Sequence, residues 1–145
     1  MKITDQQLMQ AIWRLQLKQL ARRVLDQFVG GSYATRKDDE FYLFHSSYMH
    51  GGMVDTGLSD SQRRIRIKRL IASGHLYQNN CRSFCIQTQQ AAEAFQAARQ
   101  FWLNKGVPVF IYKQVEPVPL NKEVLLAWQQ QCEAYLVKLF GELAA

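Results

Sequence analysis

A chain of 145 residues is long enough for one domain with a proper core and too short for two of average size. Hydrophobic residues make up 48 % and charged residues 21 %, with three prolines and eight glycines. That excludes a disordered, collagen-like or linker-dominated protein. No window approaches eighteen apolar residues without a charge, and the first ten residues lack the apolar run of a signal peptide. Three cysteines, Cys81, Cys85 and Cys132, are an odd number with no paired-ligand spacing. The expectation is a cytoplasmic, reduced protein off the membrane.

Eighteen basic against twelve acidic side chains leave a net charge of +6. Residues 56–86 carry Arg63, Arg64, Arg66, Lys68, Arg69 and Arg82 against Asp60 alone, whereas residues 87–145 hold five charges of each sign. A cluster this dense repels itself unless a polyanion compensates it. The plain alternative is a solvated basic face.

In chain order, residues 5–29 read as a helix. Thr4 or Asp5 can cap it, and Leu8, Ile12, Leu15, Leu20, Val24, Leu25 and Phe28 recur near helical spacing. Lys18, Arg22 and Arg23 are basic positions on it that either add phosphate contacts or form a solvated face, the commoner case. Phe41 to His50 starts with the aromatic density of a strand but is assigned to a short irregular helix over roughly 42–50. Residues 59–74 form a better helix: Ser59 and Gln62 have capping-box spacing, Ile67, Leu70 and Ile71 make one apolar face, and Gly74 stops it. Residues 75–86 read as a hairpin turning at Asn79-Asn80, with Leu76, Phe84 and Ile86 inward. A helix follows from Thr88 or Gln89 to Asn104, closed by Gly106. Residues 107–113 have strand composition, and Asn121 caps a terminal helix reaching about Leu139.

Gly57-Leu58-Ser59, then Arg63 to Leu70, then Ile71-Ala72-Ser73-Gly74-His75-Leu76 resembles the recognition-helix stretch of winged helix-turn-helix regulators. Two residues depart from that pattern. Arg63 stands where the family usually has an apolar residue, and Ile65 where it often has a polar or basic one. The resemblance implies an α+β, predominantly helical winged helix over 1–88, with 89–145 as a helical extension packed on it. It also implies a transcriptional regulator that binds double-stranded DNA with helix 59–74 in the major groove.

Chemistry then divides the roles. A wheel centred on Ile67, Leu70 and Ile71 points Gln62, Ile65, Arg66 and Arg69 outward, so Gln62, Arg66 and Arg69 are the candidate base-edge contacts. Ser59, Ser61, Arg63, Arg64 and Lys68 are candidate phosphate contacts, and Asn79, Asn80 and Arg82 form the wing. Ile65 either touches a thymine methyl or packs against the preceding segment, the commoner fate.

Residues 121–139 carry a broad apolar stripe of Val124, Leu125, Trp128, Cys132, Tyr135, Leu136 and Leu139, the expected interface of a homodimer on a two-fold DNA site; the plain alternative is packing on the first helix of the same chain. No metal, cofactor or catalytic residue is expected. The histidines and cysteines lack ligand spacing, and Asp38-Asp39-Glu40, which with Lys37 could suit a metal-dependent nuclease, reads as a charged loop. The rival function is a winged-helix adaptor or inhibitor that binds another protein through apolar surface.

Overall fold

A computed structural model describes residues 3–29, 44–45, 57–78, 83–107 and 121–143. Four helices run over Asp5–Val29 (α1), Asp60–Ala72 (α2), Gln89–Asn104 (α3) and Lys122–Phe140 (α4). Three short strands, Phe44–His45 (β1), Tyr77–Gln78 (β2) and Ser83–Cys85 (β3), form an antiparallel sheet in the order β1-β3-β2. The architecture is therefore α+β, predominantly helical and winged-helix-like, with a strand pair following the basic helix and two helices after it.

Each helix starts on a side chain suited to the task. At α1, Gln7 N–H donates to Thr4 Oγ1 (3.1 Å) while Thr4 N–H donates to Gln7 Oε1 (2.8 Å), a reciprocal capping box. Thr88 caps α3 and Asn121 caps α4 by accepting from free backbone N–H groups. Gly106 ends α3 at φ +83°, with its N–H on the Leu103 carbonyl and the Val107 N–H on that of Trp102.

α1 is the hub. Leu8, Ile12, Trp13, Leu17, Leu20, Val24 and Leu25 are all buried on it, because α3 and α4 pack against it as well as against each other. The indole N–H of Trp102 donates to the Ala21 carbonyl (3.0 Å), and that of Trp13 to the Phe140 carbonyl. α3 and α4 thus share one apolar cluster with α1, α2 and the sheet. On the other side, the buried Gln16 amide donates to the Ile86 carbonyl and accepts from the Ile86 N–H, both at 2.9 Å. That pair of bonds continues the ladder beyond β3 onto a helix side chain.

Two local expectations need correcting. Phe44–His45 is a strand, not part of a helix, and pairs Phe44 with Phe84 and His45 with Ser83; β3 offered an open edge, and the aromatic start of that segment suits it. Gln78 pairs with Phe84, and the turn expected at Asn79-Asn80 lies outside the described residues. Cys85 is as buried as its neighbours Phe84 and Ile86, because consecutive residues of a central strand face opposite sides and both are covered. The strand expected over 107–113 lies outside the described residues beyond Val107.

Candidate nucleic-acid interface

Local chemistry builds α2 firmly at both ends. Ser59 Oγ accepts from the Gln62 N–H (3.2 Å), and Gln62 Oε1 accepts from the Ser59 N–H (3.0 Å). At the other end Gly74 adopts φ +83°, its N–H bonds the Ile71 carbonyl (3.1 Å), and the His75 N–H bonds that of Leu70 (2.9 Å). This is a Schellman motif, and it turns the chain directly into the buried Leu76 and β2.

The rotation of α2 differs from the wheel expected of its sequence. Arg63, Ile67 and Leu70 are buried, and Ile71 is only half-buried. The spacing i, i+4, i+7 therefore runs through Arg63, a residue 8 % exposed and engaged by neighbours. The solvent face carries Ser61, Arg64, Ile65, Lys68, Arg69 and Ala72. Ile65 does not pack against the preceding segment; it is 65 % exposed. The two departures from the winged-helix pattern so occupy its usual positions, with Arg63 inward and Ile65 outward.

Asp5, in the first turn of α1, pairs with two arginines of α2. Arg69 Nη2 lies 2.8 and 2.7 Å from its two carboxylate oxygens. Arg66 Nε lies 3.7 Å from Oδ1, and Arg66 Nη1 donates to the Ile3 carbonyl. Arg66 is thereby drawn to the flank, its side chain 21 % exposed, against 57 % for Arg69.

The expected site residues fall into four groups. Ser61, Arg64 and Lys68 lie together on the open face. Ser59 and the carbonyl oxygen of the Gln62 amide are committed to the helix cap. Arg66 and Arg69 are held by α1, while Arg63 faces inward and cannot reach a ligand from there. Asn79, Asn80 and Arg82 lie outside the described residues. Sequence reasoning missed Asp5, although an acidic residue at the start of a helix was visible; its partners sit more than sixty residues away.

On α4, Cys132 and Leu136 are buried in the chain's own core, which corrects their assignment to a dimer surface. Burial, with the Glu133 carboxylate nearby, pushes the Cys132 thiol up to about 12, so it stays protonated and inert near neutrality. Leu125 and Trp128 are half-buried against the core, while Val124, Tyr135 and Leu139 are exposed, together with Leu126 and Val137. Lys105 Nζ lies over the rings of Phe101 and Trp128, 5.4 and 5.7 Å from their centroids, and donates to Gln131 Oε1 (2.8 Å). Among the described residues no group of three or more His, Cys, Asp or Glu side chains could hold a metal ion. No described helix is long and apolar enough to cross a membrane.

No protein-family model, curated protein or solved structure matches this chain. The functional reading therefore rests on the winged-helix-like order of elements and on the chemistry of α2.

Proposed function

We propose that the protein is a double-stranded DNA-binding regulator of the cytoplasm that lays α2 in the major groove and recognises a preferred sequence there. The observation that carries this reading is the outward strip of α2, in which Arg64 and Lys68 flank the exposed Ile65 with no acidic side chain described among them. Arg64 and Lys68 suit phosphates or guanine edges, and Ile65 suits a thymine methyl. Arg66 and Arg69, the base contacts favoured by sequence alone, would reach bases only on leaving Asp5. The exposed Val124, Tyr135 and Leu139 of α4 supply a pairing face for a two-fold site.

The test is selection from a random duplex pool at two salt concentrations, followed by titration of the recovered sequence. Arg64→Ala and Lys68→Ala should each weaken binding and lower the slope of log affinity against log salt by about one unit. Ile65→Ala should relax preference at a thymine position while leaving that slope unchanged. The large exposure of Ile65 also favours the adaptor reading, in which an apolar side chain docks on another protein. If the pool yields no preferred sequence and the two basic substitutions leave duplex affinity unchanged, the adaptor reading replaces the DNA reading.

A further inference from the structure

α1 carries a second basic surface, distinct from α2. Arg14, Lys18 and Arg22 are all exposed, whereas Arg23 beside them is buried and engaged. Their i, i+4, i+8 spacing makes a single row spanning about 12 Å at 1.5 Å per residue. Like charges at this spacing oppose the helix, and no ion pair to a carboxylate relieves any of the three among the described residues. Arg14 and Lys18 stand at least two turns from Asp5 and Asp26, the two carboxylates of their own helix, whereas Arg22 is one turn from Asp26. The hub helix thus spends its open strip on cations.

The direction of the row follows from helical geometry. Asp5 marks the side of α1 that meets α2. At 100° per residue, Arg14, Lys18 and Arg22 lie about 180°, 220° and 260° around the axis from it. Arg14 and Lys18 face away from the junction with α2 and Arg22 lies to the side, about 100° from Asp5 in the other sense, so the row does not continue the basic strip of α2.

We infer that the Arg14–Lys18–Arg22 row is a second phosphate-binding surface, which takes the backbone of another duplex segment while α2 holds the first. The inference rests on the DNA reading of α2 for its first duplex only. Two features favour duplex phosphates over other polyanions. No aromatic side chain interleaves the row, as stacking on unpaired bases would require. The side chains beside it are Gln7, Gln10, Ala11, Leu15 and Gln19, with Ala21 and Leu25 buried in the core, so it lacks the large exposed apolar face of a membrane-surface helix.

The test tethers one labelled duplex to beads, saturates it with the full chain, and measures capture of a second, differently labelled duplex at low salt. The triple variant Arg14→Gln, Lys18→Gln, Arg22→Gln keeps good helix formers on exposed positions, and circular dichroism checks its fold. It should bind the tethered duplex within about twofold of the parent and lose at least tenfold in capture of the second. Arg64→Ala with Lys68→Ala should instead lose the tethered duplex. The inference is overturned if the parent captures no second duplex, if the triple variant still captures it, or if both binding steps weaken together, which would make the row part of one footprint. Preference for phosphatidylglycerol vesicles over the second duplex also overturns it. If the α2 variant binds the tethered duplex normally, the DNA reading of α2 fails, while loss of capture in the triple variant still upholds the row.

Discussion

Asp5 is the residue on which the basic surface turns. One carboxylate serves two guanidinium groups across the junction of α1 and α2, and at this exposure the pairs contribute at most about 1 kcal/mol to stability. Their larger effect is on availability: a ligand must compete with Asp5 for Arg66 and Arg69. Asp5→Asn should therefore lower the free energy of unfolding by no more than about 1 kcal/mol, yet raise duplex affinity and steepen its salt dependence by up to about two units as both arginines are released. Fluorescence anisotropy at several salt concentrations reads both quantities. A drop in affinity would mean instead that Asp5 orients α2 for binding.

At the scale of elements, what was legible in the sequence was what is local. The Ser59/Gln62 box, the Gly74 and Gly106 stops and the Asn121 cap act within one turn, so the four helices were placed within a residue or two. The wheel of α2 was not legible, because Arg63 takes an inward position that hydrophobic spacing assigns to an apolar residue. A charged residue at i with isoleucine at i+4 and leucine at i+7 reads as polar where the structure makes it core-facing. β1 escaped for a related reason: two residues form a strand only because the edge of β3 is there to accept them. In the basic helix, the wheel put Gln62, Ile65, Arg66 and Arg69 outward, whereas the exposed residues are Ser61, Arg64, Ile65, Lys68, Arg69 and Ala72.

For the whole molecule, the terminal helix divides its apolar stripe between two tasks. Cys132 and Leu136 close the core against α1 and α3, while Val124, Tyr135 and Leu139 stay exposed, the face that the proposed dimer would use. The balanced charge of residues 87–145 lets two copies approach without repulsion. Light scattering should find a dimer at micromolar concentration, and Val124→Glu with Leu139→Lys should give a folded monomer; a parent that stays monomeric at high concentration removes α4 from the DNA reading.

The Gln16 clamp on Ile86 has a consequence for acid and alkali. It needs one donor and one acceptor on the same buried side chain, which an amide offers at any pH and a carboxyl group only when protonated. Gln16→Glu would keep both bonds in acid, its O–H donating to the Ile86 carbonyl. Burial raises the folded-state pKa of such a group above the ordinary value of about 4.3. The contribution is then complete below that value and drains away as pH rises through the folded-state pKa, where a carboxylate would face the carbonyl with nothing to donate. Relative to the parent, the variant should match it near pH 4 and fall about 1–3 kcal/mol below it at pH 8, a difference read from urea midpoints. A gap that does not change with pH would mean that water enters to solvate the clamp.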